Sequence, residues 1–159
     1  MTINFIFITG SGRCGTSLTR NLIDSHSQIE VIPDEVTNIL GNVLNANGYS
    51  LNFSMSGPVK DVIEHHLLGA YIGHQNEDEI RQRFEKLVKE NLSITLSLKE
   101  FLEKFVEQVL LSKKLFILID VTNPGIKGLL EAFPHSKVIH LIRHPLNILN
   151  SEYRFRYFD

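Results

Sequence analysis

The chain has 159 residues, 43% of them hydrophobic, and a formal net charge of −2. That is one domain's worth of sequence with enough apolar material for a core. Its near-neutral charge gives no general electrostatic case for binding nucleic acid or an anionic membrane. A single cysteine excludes an internal disulfide framework and any multi-cysteine metal site.

Met1-Thr-Ile-Asn leads straight into Phe5-Ile-Phe-Ile8, a continuous apolar run that reads as a buried parallel strand. No basic segment precedes it, and the longest apolar run is far too short to span a bilayer. A cytoplasmic location is therefore expected, with neither membrane nor nucleic acid as partner. A glycine-rich turn follows, with Gly10, Gly12 and Gly15. Leu18, Leu22 and Ile23 then recur at helical spacing, which predicts a helix over 17–25. Strand, glycine turn and helix form the arrangement that holds phosphate-like groups. Glycines let backbone N–H groups turn inward, and the helix N-terminus adds donors and partial positive charge.

From Gly10 to Ser17 the stretch matches G-x-x-x-x-G-K-[ST], except that Thr16 stands where a nucleotide triphosphatase has its lysine. Without that cation, triphosphate hydrolysis is not expected. Arg13 brings a different one into the loop, a planar fork suited to phosphate or sulfate oxygens.

Ile29 to Ile32 reads as a second strand, and Pro33-Asp-Glu35 is expected to break it and open a helix over 36–44. Residues 48–75 show no clear period and read as loop and short helix. His65 and His66 are adjacent and so do not share a face, which leaves them without metal-ligand spacing. Ile80, Phe84, Leu87 and Val88 form an apolar stripe on a helix over 76–91. Ser97-Leu-Lys-Glu100 is a capping-box pattern ahead of Phe101, Leu102, Phe105, Val109 and Leu110, with Leu96 placed to staple onto Phe101.

Leu115 to Ile119 is another continuous apolar run, hence a buried strand ending at Asp120-Val-Thr-Asn-Pro124. A helix over 124–132 follows, then a strand over 138–142 in which His140 is expected to sit in the core. Arg143-His-Pro145 ends that strand, and a helix over 146–153 has Pro145 at its first turn. Strands alternating with helices predict a three-layer α/β fold: a parallel sheet with right-handed crossovers and helices on both faces. Ligands in such sheets lie beyond the carboxyl ends of the strands. The Gly10–Ser17 loop, Asp120–Pro124 and Arg143–Pro145 all fall there. No linker or repeat divides residues 1–159, which read as a single domain.

Two stretches carry a resemblance. Gly10-Ser-Gly-Arg-Cys-Gly-Thr-Ser-Leu18, followed by Ile23-Asp-Ser-His26, resembles the 5′-phosphosulfate loop of sulfotransferases, G-x-x-R-S-G-T-[ST]-L-L and then L-x-x-H-P. Phe133-Pro-His-Ser-Lys-Val-Ile-His-Leu-Ile-Arg143-His-Pro-Leu-Asn-Ile-Leu-Asn-Ser151 resembles that family's segment for the donor's 3′-phosphate. The resemblance implies a P-loop-like fold and the co-substrate 3′-phosphoadenosine 5′-phosphosulfate, with no metal. Carried over by position, Gly12, Arg13, Cys14, Gly15, Thr16 and Ser17 would hold the phosphosulfate, and Arg143 and Ser151 the 3′-phosphate. Asp120-Val-Thr-Asn-Pro124 resembles the family's [DE]-K-[TS]-P, but Val121 replaces the lysine that assists transfer. Arg13 is then the cation expected to stabilise the transferring group.

Many members place a Glu or His shortly after the second strand, which makes Glu35 the candidate base, with Asp34 and Glu30 as competitors. The resemblance implies transfer of a sulfuryl group to a hydroxyl or amine, on carbohydrate or protein rather than a small phenol. The acceptor itself is not named by these motifs. Family members continue past the 3′-phosphate motif, so the chain is expected to be an incomplete member. Its aromatic tail, Tyr153, Phe155, Tyr157 and Phe158, is expected to pack on further sequence or on a second copy. Two other readings stay open. One is a P-loop nucleotide or small-molecule kinase, for which Asp120 is the strand-end acid available to magnesium. The other is a non-catalytic nucleotide-binding module.

Overall fold

Alternation along β1 (Asn4–Gly10) sets the architecture. Phe5 and Phe7 point into one apolar cluster, and Ile6 and Ile8 into another. A strand buried on both faces cannot carry polar residues on either, which is why its sequence is a continuous apolar run. The structure is a computed structural model that describes residues 3–35, 52–55, 60, 61, 63–121 and 130–157.

β1 lies inside a four-stranded parallel sheet with β2 (Ile29–Glu35), β5 (Phe116–Asp120) and β6 (Lys137–Leu141). The order is β2-β5-β1-β6, with Ile8 of β1 beside Asp120 of β5 and Ile139 of β6. The chain's first crossover runs from β1 to β2 and skips the place that β5 later takes. The larger core lies between the sheet and α2 (Glu77–Asn91), α3 (Leu98–Lys104) and the π-helical turn Phe105–Leu110. Phe84, Phe101 and Phe105 pack there, and Phe133 meets Phe5 and Phe7 edge-on at 5.0 and 5.2 Å. On the opposite face α1 (Thr16–Asp24) covers Ile6, Ile8, Val31 and Leu118. The expected parallel sheet with helices on both faces is therefore present.

Local signals hold well where they are strong. All four residues of the predicted stripe on α2 are buried. The capping box forms at α3: the Glu100 N–H donates to Ser97 Oγ at 3.2 Å, and the Ser97 N–H donates to Glu100 Oε2 at 2.8 Å. Those bonds from Ser97 hold the Glu100 carboxyl below its usual range. Leu96 and Phe101 are buried in one cluster, as a staple requires.

Four expectations change. β2 does not stop at Ile32 but runs to Glu35, with a register shift between Val31 and Glu35. Pro33 has no N–H for the ladder, and a sheet tolerates that at an edge strand with a bulge, which is what β2 is. Residues 48–75 contain β3 (Asn52–Ser54), which pairs antiparallel with β4 (Thr95–Ser97), and a π-helical turn over Glu64–Leu68. His140 is exposed rather than core, because β6 is the other edge of the sheet. On α1, Ile23 packs on the sheet but Leu18 and Leu22 are 65% and 69% exposed. The face turned inward instead carries Thr16 and Arg20. The helices expected over 36–44 and 124–132 fall outside the described residues, apart from helical residues 130–132.

Tyr71 is buried, and its hydroxyl finds no hydrogen-bond partner among the described residues. Burial first, and the Glu30 charge second, push its phenol well above the ordinary value. Replacing Tyr71 by Phe keeps the ring and removes an unpaired polar atom. Tyr71→Phe should leave stability unchanged or raise it by up to about 1–2 kcal/mol. Urea midpoints at equal slope would check this, and a loss above about 1 kcal/mol would show that the hydroxyl is bonded.

Candidate functional site

The site begins where β1 runs out of sheet. After Gly10 the chain turns through Ser11–Gly15 and enters α1 at Thr16. Two residues make the turn with left-handed backbone, Arg13 at φ 63° and Gly15 at φ 104°. Gly15 takes that conformation without cost, whereas Arg13 carries about 1–2 kcal/mol of strain. The Cys14 N–H donates to Ser11 O at 3.2 Å and tightens the loop. Cys14 Sγ lies over Gly10, at the point where a side chain on Gly10 would sit.

Gly15 caps α1 without a side-chain hydrogen bond, and the first turn of α1 holds no acid. That leaves the helix N-terminus configured for an external anion. α4 (Pro145–Tyr157) follows β6 and brings its residues back to the loop. Arg143 Nη1 donates to Arg13 O at 2.8 Å, across 130 positions of sequence. Arg13 Nε donates to Ser151 Oγ at 3.3 Å, across 138 positions. Arg143 thus reaches the loop backbone.

Together Gly12, Arg13, Gly15, Thr16, Ser17, Arg143 and Ser151 line one cavity of about 400 Å³. Its described lining holds two arginines and no carboxylate. The volume lies in the range of small-molecule sites. Cys14, expected among the binding residues, turns its N–H and thiol into the loop itself. Glu35 ends β2, with β5 between it and β1. It is in register with Asp120, and its side chain lies outside the described residues. The Asp34 side chain likewise falls outside them, while Glu30 is bonded to Ser112 Oγ at 3.0 Å and lies 3.7 Å from Lys114 Nζ.

Sequence reasoning missed one polar feature beside the site. Asp120 is fully buried at the carboxyl end of β5, 4.0 Å from Arg20 Nη1 on the inner face of α1. The signal was there: Arg20 follows Thr16 by one helical turn, and both share the face that meets the strand ends. The strand-end acid on which the kinase reading draws thus lies beside a protein cation. Val121, in the family's lysine position, is fully buried in the larger core. Of Asp120–Pro124, residues from Thr122 on lie outside the described residues.

A second cavity, of about 410 Å³, has Asp61, Glu64, His65 and Arg81 in its lining. Glu64 is already shared there by Lys60 at 3.3 Å and Arg81 at 3.9 Å, so its charges are internally balanced. Among the described residues no group of three or more His, Cys, Asp or Glu is arranged to hold a metal ion. No described helix is long and apolar enough to cross a membrane.

A family model described as "Sulfotransferase family" matches residues 5–158. No curated protein and no solved structure matches the chain. The matched span contains the glycine loop, the parallel sheet and the returning Arg143–Ser151 segment. The chain belongs to the sulfotransferase family, and so to the transferase enzymes.

Proposed function

We propose that the cavity binds 3′-phosphoadenosine 5′-phosphosulfate and that the chain passes its sulfuryl group to a hydroxyl or amine. The acceptor class we favour is carbohydrate or protein rather than a small phenol. One observation carries the reading: Arg13, Thr16, Ser17, Arg143 and Ser151, from opposite ends of the sequence, line one cavity with no described carboxylate. Two guanidiniums and a helix N-terminus suit a ligand with two separate anionic groups.

When bound, the donor supplies an activated sulfuryl group on a phosphate leaving group. The amides of Gly12, Arg13, Gly15, Thr16 and Ser17 and the Arg13 fork hold the 5′ end and stabilise negative charge as it moves onto the leaving oxygen. Arg143 and Ser151 hold the 3′-phosphate. The acceptor oxygen or nitrogen forms a bond to sulfur as the bond from sulfur to the phosphate oxygen breaks, and Glu35 takes the acceptor's proton. The scheme calls on no metal. A cytoplasmic site of action and self-association through the aromatic tail remain part of this reading.

Calorimetric titration tests it, with adenosine 3′,5′-bisphosphate beside MgATP. The wild type should prefer the bisphosphate, and Arg143→Ala should weaken it by about a hundredfold, the value of a lost charge-assisted pair. Tight MgATP binding indifferent to Arg143 would instead favour a nucleotide or small-molecule kinase.

A further inference from the structure

Arg13 and Arg143 are each assigned above to one anionic end of the donor, yet the structure ties them to each other. Arg143 Nη1 donates to the carbonyl of Arg13 at 2.8 Å, and Arg13 Nε donates to Ser151 Oγ at 3.3 Å. The residue so held is the non-glycine loop position with positive φ, at 63°. A strained backbone persists only when surrounding structure over-determines it. Within the loop, the Cys14 N–H bonded to Ser11 O supplies part of that hold. Arg143 and Ser151, before and within α4, supply a further part.

From this geometry we infer that Arg143 and Ser151 are positioning residues for the 5′-phosphosulfate loop, in addition to their assigned part in binding the 3′-phosphate. Arg143 fixes the Arg13 carbonyl, and with it the peptide plane from which the chain turns toward the Gly15 amide and α1. Ser151 fixes the Arg13 side chain. A guanidinium that gives one N–H to the loop keeps others for a phosphate, so one residue serves both ends at once. Occupation of the 3′-phosphate subsite then stiffens the loop, and the two ends of the site are energetically coupled. The inference rests on the proposed donor but adds a consequence that plain 3′-phosphate binding does not have. Arg143 should matter to a ligand that has no 3′-phosphate.

The probe is adenosine 5′-phosphosulfate, compared with adenosine 3′,5′-bisphosphate, on the wild type, Arg143→Ala, Arg143→Lys and Ser151→Ala. Arg143→Ala is expected to weaken adenosine 5′-phosphosulfate by about tenfold. Arg143→Lys, which keeps the charge and an N–H donor group but loses the planar fork, should recover part of that loss. In the absence of ligand, amide hydrogen exchange in Gly12–Ser17 should quicken in both Arg143→Ala and Ser151→Ala. Either result supports the positioning role. Affinity for adenosine 5′-phosphosulfate within about twofold of wild type, with loop exchange unchanged, would overturn it even if the bisphosphate is weakened. A wild type that binds neither nucleotide would refute the donor reading, and the ligand-free exchange would still decide the role of Arg143. Because Arg143 is exposed, neither substitution there disturbs the core, and the Lys variant guards against a folding defect in the Ala variant.

Discussion

Asp120→Ala should destabilise the protein by about 3–5 kcal/mol, a large share of a domain's usual margin of about 5–15 kcal/mol. The Asp120 side chain is 0% exposed and that of Arg20 11%. Their 4.0 Å separation is an ion pair but too long for a hydrogen bond. Among the described residues Arg20 Nε and Nη1 find no acceptor. Removing the carboxylate would leave a guanidinium buried between α1 and the sheet with its nearest counter-charge gone. The strain falls on α1, whose N-terminus forms the floor of the cavity, so nucleotide affinity should fall with stability. Replacing both partners by apolar residues, as in an Arg20→Met, Asp120→Leu double variant, should recover most of the loss. Guanidinium unfolding of the two variants provides the check. A cost below about 1 kcal/mol for Asp120→Ala would mean that the Arg20 charge escapes to water.

Gly10→Ala is expected to damage the site more than the fold. A Cβ on Gly10 would lie 2.8 Å from Leu141 O and collide with Cys14 Sγ. The carbonyl belongs to the end of β6 and cannot rotate away, so the loop must shift. A displacement of about 1 Å in donors aimed at an anion costs on the order of a hundredfold in function, and bisphosphate affinity should drop by that order. Overpacking should also cost about 1–3 kcal/mol of stability. Gly12→Ala is the matched control. Nothing lies within 4 Å of its Cβ, and stability should stay within about 0.5 kcal/mol. Equal stability and affinity in Gly10→Ala would show that the loop does not depend on close contact with β6.

The glycine turn with Arg13 and the Arg143–Ser151 segment are readable because each is a local pattern with local physics. Phe5–Ile8 and Leu115–Ile119 read as buried strands because a strand covered on both faces must be apolar at every position. Ser97 and Glu100 read as a helix start because a capping box closes within one turn. Signals that weigh a residue against distant partners were weaker. Pro33 was read as a strand breaker, yet an edge strand with a shifted register absorbs it. Leu18 and Leu22 looked like the packing face of α1, but the helix turns Thr16 and Arg20 inward. Arg20 there meets a strand-end carboxylate on β5, and periodicity within α1 carries no record of it.

The sequence by itself determined the buried strands of the parallel sheet, the phosphate-type loop, the helix start at Ser97 and the resemblance to a sulfotransferase. All of these depend on spacing within a few residues. Only the tertiary structure decided the strand order β2-β5-β1-β6, the burial of Asp120 against Arg20, and the meeting of Arg13 with Arg143 and Ser151. Those contacts join residues separated by 100 to 138 positions. Which strand neighbours which follows from how crossovers pack on the sheet, and a sequence pattern records each strand without recording its neighbour.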